Sequence, residues 1–383
     1  LEGVIDAAGW DALQAEVTAD VTEIERIALA APKPDPATAL EHVSAAPSGA
    51  PVTLLPEQGR ELAFGLAVNL ALHREMADRP EVVTFGEDIA IPGGTFGVTR
   101  GLRKEFGERV FDTPIAEASI LGAALGASLE GLRPVVEIMW TDFLFVAFDQ
   151  IVNQMSNVRY ISRGAVSAPL VVRMQQGVTP GSCAQHSQSL EALIAHIPGI
   201  KVGLPSNPQD AYAMLRAAVA DPDPVVIIES RALYQDKALI DPDAPIEAVA
   251  GARLWRSGSD LLIVSWGRMA QVSLRAADRL ADEGISASVL DLRWLNPLDE
   301  EAIAAALKAS AGRLLIAHEA NLTGGFGAEI AARVSERHLF ELDAPIVRVG
   351  MPDVRVPSSP VLQAAILPSE QMITDAARRL VGG

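Results

Sequence analysis

The sequence predicts an α/β protein of two domains with parallel β-sheets, preceded by a helical amino-terminal extension. Short apolar runs recur without polar alternation, which is typical of strands that helices cover on both faces. Stretches with helical spacing of apolar residues lie between these runs. A connection rich in Pro and Asp, residues 239–245, divides them into two series, and 383 residues suffice for two or three domains.

The extension begins with a predicted amphipathic helix at 7–31, in which Leu13, Val17 and Ile24 fall near one face. The proline-rich run that follows ends this helix, because proline lacks a backbone N–H group. Residues 45–51 have the composition of a linker. An isolated helix between such flanks has little to bury itself against, so we expect it to pack on another segment or chain.

The first α/β series runs from residue 57 to about residue 235. Its predicted strands are 81–85, 109–112, 134–139, 169–174, 201–204 and 224–229, and its predicted helices are 57–78, 99–106, 117–130, 142–162, 187–196 and 208–220. The second series has predicted strands at 261–266, 287–292, 313–317 and 346–349, with helices between them. In such sheets ligands bind at the carboxyl ends of the strands.

The acidic composition limits the range of functions. The 31 Lys and Arg residues against 49 Asp and Glu give a net charge of −18, which argues against nucleic acid or an anionic membrane as the main partner. No uncharged apolar run of about 18 residues occurs, so no membrane partner is expected. A single cysteine, Cys183, excludes an internal disulfide framework and a cysteine-built zinc site. We expect a cytoplasmic protein.

The segment Phe111–Glu117 places a strand end, a helix start and a carboxylate within seven residues. We expect Thr113 to cap the helix and Pro114 to occupy its first turn. Glu117 has two interpretations. It either complements the positive helix end, worth about 0.3–1 kcal/mol, or it is a desolvated acid suited to proton transfer near neutral pH.

A second candidate is His186, in the polar segment Gln185–Ser189 after a loop with glycine and proline. It lies either in a cleft or simply in solvent, and the other histidines show no metal-ligand spacing. The glycine loops at 92–97 and 324–327 match dinucleotide fingerprints only in part and lack the Lys-Ser/Thr of a phosphate-binding loop. We reject both as nucleotide sites.

Ten short segments, in order along the chain, together resemble the β subunit of thiamine diphosphate-dependent 2-oxo acid dehydrogenases, over about residues 52–380. These segments are Gly86-Glu87-Asp88, Thr99-Arg100-Gly101-Leu102, Asp112–Glu117, Gly131-Leu132-Arg133-Pro134, Asp142-Phe143, Asp149-Gln150-Ile151, Gln185-His186-Ser187-Gln188, Pro198–Val202, Asp291-Leu292-Arg293 and Pro297-Leu298-Asp299.

The resemblance implies a transketolase-like architecture. It implies a pyrimidine-binding domain at 51–238 and a transketolase carboxyl-terminal domain at 239–383, after an α-subunit-like tail at 1–50. The cofactor would be thiamine diphosphate with magnesium. The Gly-Asp-Gly…Asn motif that holds the diphosphate through magnesium is missing here. In the family this motif lies on the α part, so the α part is expected to supply it.

The resemblance also implies roles for individual residues. Glu117 would hydrogen-bond the aminopyrimidine ring and activate the cofactor. Ile89, Met139 and Phe143 match further cofactor-binding positions, although Phe143 is equally compatible with a core aromatic. His186 would assist transfer of the acyl group to a lipoyl arm.

Three other positions match a structural potassium site of some family members. They are Leu170, Asp221 and Asp223, which would supply carbonyl and carboxylate oxygens. The alternative is a solvated turn around Pro222.

The implied partners are an α subunit or an α part of the same polypeptide, a second copy of the β part in an α2β2-like assembly, and a lipoyl acyltransferase. Because residues 16–40 resemble the end of an α subunit, we hypothesise a fused α–β polypeptide. The substrate would be a branched-chain 2-oxo acid, which segments such as His318–Phe326 favour, or pyruvate. Two further hypotheses are a transketolase-like ketol transferase and a non-catalytic regulatory or scaffolding protein.

Overall fold

A computed structural model describes residues 4–382, which form two compact units divided after Glu41. Residues 1–3 and 383, the outer ends of the predicted tail and of the last predicted domain, lie outside the described residues.

The helices are α1 (Ala7–Ala30), α2 (Phe64–Asp78), α3 (Leu102–Phe106), α4 (Glu117–Leu129), α5 (Val158–Ile161), α6 (Glu191–Ala195), α7 (Pro208–Ala220), α8 (Arg268–Asp282), α9 (Glu300–Ala309), α10 (Phe326–Arg337), α11 (Pro360–Ile366) and α12 (Glu370–Gly382). The strands are β1 (Arg60–Ala63), β2 (Val82–Gly86), β3 (Val110–Asp112), β4 (Arg133–Ile138), β5 (Val171–Gln176), β6 (Lys201–Gly203), β7 (Val225–Ser230), β8 (Lys237–Ile240), β9 (Arg253–Arg256), β10 (Leu261–Ser265), β11 (Ala287–Asp291), β12 (Trp294–Asn296), β13 (Leu314–Asn321) and β14 (Val347–Met351).

The first unit contains α1 and a short 3-10 helix, Pro36–Leu40. Asp6 caps α1 by accepting a hydrogen bond from the backbone N–H of Gly9 at 2.7 Å. None of the α1 residues is buried, and the predicted apolar face is therefore exposed. The expectation that this face packs on a partner stays a prediction.

A seven-stranded sheet organises the first α/β series, in the order β12-β6-β7-β5-β4-β2-β3. Its strands are parallel except β12, which pairs antiparallel with β6 at one edge. Because β12 lies far along the chain, the second series completes the sheet of the first. Buried apolar strands flanked by helices confirm the predicted parallel architecture.

The second sheet has the order β14-β13-β10-β11-β9 and is parallel apart from β9. Strands β1 and β8 form a separate antiparallel ribbon. One apolar cluster contains residues of both large sheets, among them Val226 and Val264. The two sheets therefore share a core.

Buried ion pairs also join the two series. Arg293 contacts Asp210 at 3.1 Å and Glu247 at 2.5 Å, and Arg253 contacts Asp210 at 2.6 Å. Although burial acts to raise it, the guanidinium groups of Arg293 and Arg253 lower the pKa of Asp210. The Asp210 carboxylate is held ionised by cations in the same interior.

The predicted helix 142–162 is wrong as a single helix. The segment forms a 3-10 turn at Thr141–Val146, a π-helical turn at Gln150–Gln154, a further 3-10 turn and α5. The hydroxyl of Ser156 and the amide of Asn157 donate to backbone carbonyls one turn earlier, which competes with regular helix formation. The predicted helix 187–196 is likewise shorter, since its first residues form a loop before α6.

Candidate functional site

Glu117 is the first residue of α4, just beyond the end of β3. Its side chain is buried, with 7% exposed. In the part of the chain that the structure describes, its carboxylate makes no hydrogen bond and no ion pair. The helix begins at Glu117, as the predicted helix 117–130 does, but its N-cap is Ala116 without a side-chain cap, so the predicted roles of Thr113 and Pro114 are wrong. The Thr113 hydroxyl is buried without a partner.

A second acid, Glu87, lies near Glu117. Glu87 follows β2, which pairs in parallel with β3, so both acids lie at the same sheet edge. Burial raises the pKa of Glu87, and the charges of Glu117 and Asp88 raise it further. Glu87 was not among the site residues predicted from the sequence, although its position directly after a strand could have indicated it.

The other predicted cofactor positions lie at this edge. Ile89 is completely buried in the loop after β2, and its carbonyl accepts a hydrogen bond from Thr99 at 2.7 Å. Met139 directly follows β4, which pairs with β2 on the side opposite β3. The loop after β2 is anchored to β3, because Asp112 accepts the backbone N–H of Ala90 at 2.6 Å.

His186 lies among aromatic rings. Its imidazole makes edge contacts with Trp140 and Phe143, with ring centroids 5.3 and 5.4 Å away. The Cys183 sulfur is 3.4 Å from Nδ1 of His186. The structure therefore brings His186 and Phe143 together, and their predicted roles stay predictions. Trp140, two residues past the end of β4, was missed from the sequence because nothing local marks it.

Polar contacts hold the His186 loop against the Trp140–Phe143 segment. The Thr141 hydroxyl donates to the carbonyl of Gln188 at 2.9 Å, and the Gln188 amide donates to Asp142 at 2.9 Å. Gln363 from α11 donates to the carbonyl of Ser182 at 2.8 Å. Residues from both series thus fix the position of the imidazole.

The residues predicted to bind potassium lie at the opposite edge of the sheet, before β5 and β7. The Lys201 ammonium is 2.8 Å from both carboxylate oxygens of Asp221 and 3.1 Å from Asp223. Arg159 pairs with the other oxygen of Asp223, and the Leu170 carbonyl accepts the backbone N–H that opens β7. The carboxylates therefore already have cationic partners, and this arrangement does not fit a potassium ion well.

Residues 4–382 contain neither a cluster of metal ligands nor a membrane-spanning helix. No cluster of three or more His, Cys, Asp or Glu side chains is placed to hold a metal ion. No helix in this range is long and apolar enough to cross a membrane.

Comparison with known proteins gives consistent matches. Residues 60–237 match the family "Transketolase, pyrimidine binding domain", and residues 250–373 match "Transketolase, C-terminal domain". The pyruvate dehydrogenase E1 component subunit beta of Bacillus subtilis is 40% identical over 82% of this chain and 97% of its own length. The 2-oxoisovalerate dehydrogenase subunit beta of the same organism is 39% identical with the same coverage.

Two further similarities are informative. The beta subunit of a Bacillus subtilis acetoin:2,6-dichlorophenolindophenol oxidoreductase is 40% identical over 84% of this chain and 98% of its own length. A solved structure, a split gene transketolase described as an inactive beta4 tetramer, has a TM-score of 0.71 at 26% identity. It covers 84% of this chain and 99% of that one. The chain therefore belongs to the family of 2-oxo acid dehydrogenase E1 β subunits, built from transketolase-type pyrimidine-binding and carboxyl-terminal domains.

Proposed function

We propose that this chain is the β part of a thiamine diphosphate-dependent enzyme that decarboxylates a 2-oxo acid and passes the acyl group to a lipoyl arm. The observation that carries the proposal is Glu117, a buried carboxylate without a protein partner at the carboxyl edge of the pyrimidine-binding domain. A buried acid without a partner is destabilising, so a bound group that satisfies it is a physical reason for its presence.

The residues fit the pyrimidine end of this cofactor. Glu117 would share a proton with a ring nitrogen, and Ile89, Met139 and Phe143 would line the ring. When bound, thiamine diphosphate supplies the carbon nucleophile and the electron sink for the loss of carbon dioxide. The diphosphate and magnesium are assigned to the α part, because the Gly-Asp-Gly…Asn motif that holds them in the family is missing from this sequence.

His186 would act in the second half of the reaction. The contacts with Trp140 and Phe143 restrict the imidazole plane, and Cys183 faces Nδ1. Nε2 is then the nitrogen left to exchange a proton with the incoming lipoyl sulfur.

The partners are proposed on the same basis. Relatives that match over nearly their whole length are named as β subunits, which supports an α part as a partner. The family resemblance adds a second β copy and a lipoyl acyltransferase. If the α part is fused to this chain, the native polypeptide carries it amino-terminal to α1. Intact-mass measurement of the native protein tests that arrangement.

The substrate is proposed as a branched-chain 2-oxo acid or pyruvate. Sequence identity does not separate them, since pyruvate, 2-oxoisovalerate and acetoin relatives are 40%, 39% and 40% identical. The test is decarboxylation of a panel of 2-oxo acids by the complete α/β assembly with an artificial electron acceptor. Turnover of at least one member is expected. No turnover of any, with thiamine diphosphate bound, contradicts the proposal.

The similarity to a split gene transketolase supports one other activity, ketol transfer. Ketose phosphates in the same assay distinguish it, because a dehydrogenase does not turn them over.

The role of His186 is tested separately. His186→Asn should keep decarboxylation with the artificial acceptor but slow acyl transfer to a lipoyl domain by roughly 10²- to 10⁴-fold. His196→Asn is the matched control, since His196 is exposed directly after the next helix, α6. Equal loss in both assays would show that His186 is only structural.

A further inference from the structure

A cavity of about 620 Å³ lies beside the segment Val178–Pro180, which leads from β5 into the His186 loop. Its other walls are one face of α8 and the segment Pro360–Glu370. This volume is within the usual range for small-molecule sites, about 300–1,000 Å³. The cavity is separate from the carboxylates of the proposed catalytic site.

Three arginines line the cavity, although the chain as a whole carries a net charge of −18. Arg268 pairs with Glu319 at 3.1 Å, and Arg275 lies 3.5 Å from Glu370. Arg231 differs, because it forms no ion pair with any residue between 4 and 382. One guanidinium in the lining therefore has no direct ion pair among the described residues, although the charges of Asp142 and Glu319 act on it from a distance.

The surroundings of Arg231 remove part of its guanidinium from water. Its guanidinium is half-buried and lies 3.8 Å from the centre of the Trp140 ring. Burial lowers the pKa of Arg231. Among residues 4–382, only the Thr179 hydroxyl accepts a hydrogen bond from it, although a guanidinium carries five N–H donors. The remaining donors fit an anionic group in the cavity.

Apolar residues share the remaining lining with Gln363, Ser369 and Glu370, and they restrict the type of anion. They include Val178, Pro180, Val272, Leu367 and Pro368. A single guanidinium without an ion pair favours a monoanion, and the apolar wall favours a hydrocarbon body. We propose that this cavity binds a small organic monocarboxylate through Arg231. The site goes beyond the proposed function and does not rest on it.

Trp140 connects the cavity to the proposed acyl-transfer residue. One contact of its ring is with the Arg231 guanidinium and another is with the imidazole of His186. A carboxylate that draws Arg231 away from the indole will therefore change Trp140 fluorescence. Trp140→Phe identifies the part of the signal that comes from this residue among the five tryptophans.

The test is a calorimetric and fluorescence titration of the complete assembly with 3-methylbutanoate, its uncharged counterpart 3-methylbutanol, and inorganic phosphate. We expect saturable binding of 3-methylbutanoate, with the alcohol and phosphate both weaker. Arg231→Met should weaken the carboxylate by roughly 10- to 100-fold, the usual range for a lost charge-assisted hydrogen bond. Arg231→Lys should weaken it less, because it keeps the charge.

Two controls separate this site from the catalytic one. Arg256→Met removes an arginine outside the cavity, one that pairs with Asp278, and should leave affinity unchanged. Glu117→Gln should also bind 3-methylbutanoate normally, so a failed catalytic proposal leaves this test intact. No binding, equal binding of the alcohol, tighter binding of phosphate, or unchanged affinity in Arg231→Met would each overturn the proposal.

Discussion

The two edges of the seven-stranded sheet differ in whether their buried acids have cationic partners. At the carboxyl edge, Glu117 is buried with no cationic partner, and the charge of Glu117 raises the pKa of nearby Glu87. At the amino edge, Asp221 and Asp223 are equally buried but are neutralised by Lys201 and an arginine. Since parallel sheets bind ligands at their carboxyl ends, the acids without partners lie where a ligand can satisfy them. We therefore expect the paired acids to have a structural role and the unpaired acids to mark the proposed site.

The largest expected effect is on the carboxyl edge. Glu117→Gln keeps the shape of the side chain but cannot exchange a proton, so decarboxylation should fall by roughly 10²- to 10⁴-fold. Thermal stability should not fall, because no protein partner is lost. The control is Glu130→Gln, an exposed residue at the other end of α4. Activity of Glu117→Gln within threefold of wild type would show that an unpaired buried acid does not mark the site.

The second-largest expected effect is on the free energy of unfolding, through a substitution at the amino edge. Lys201→Met leaves two buried carboxylates short of a cation, which costs about 3–5 kcal/mol of unfolding free energy. Lys237→Met, on the exposed side of β8, is the control and should change little. Urea denaturation of both variants measures the difference. An equal change in the two would mean that the amino-edge acids tolerate the loss of their partner.

The predicted potassium site can be tested at the same edge. If the Lys201 ammonium already supplies the cation, wild-type thermal stability should be the same in potassium chloride and choline chloride at equal ionic strength. Lys201→Met should be stabilised by potassium relative to choline. A potassium ion bound to wild type at Leu170, Asp221 and Asp223 would instead appear as specific stabilisation of the wild-type protein.

The residues at these edges also show which parts of the site and fold can be predicted from the sequence. Glu117 was noticed because it closes a strand-to-helix segment, which is a local signal with two interpretations, and the family resemblance then assigned its role. Trp140 and Arg231 were not found, because their contacts join residues that are distant in the chain. The helix predicted at 142–162 failed for a similar reason. Its apolar spacing was helical, but the Thr141 hydroxyl donates to the Gln188 carbonyl and Asp142 accepts from the Gln188 amide, and these hydrogen bonds fix another conformation.

The smallest expected effect concerns the second carboxyl-edge acid, Glu87. Because its pKa is raised in the folded protein, Glu87 contributes stability below its unfolded pKa of about 4.5, and this is lost as pH rises through the folded pKa. Glu87→Gln should therefore gain stability relative to wild type as the pH increases from 4 to 8, and Asp149→Gln, at an exposed acid, should not. Thermal unfolding across this range measures the trend. In Glu117→Gln, the Glu87 carboxyl should titrate at lower pH by NMR, since one of the charges that raise its pKa is gone. If Glu87 titrates at the same pH in Glu117→Gln as in the wild type, the two acids do not share a site.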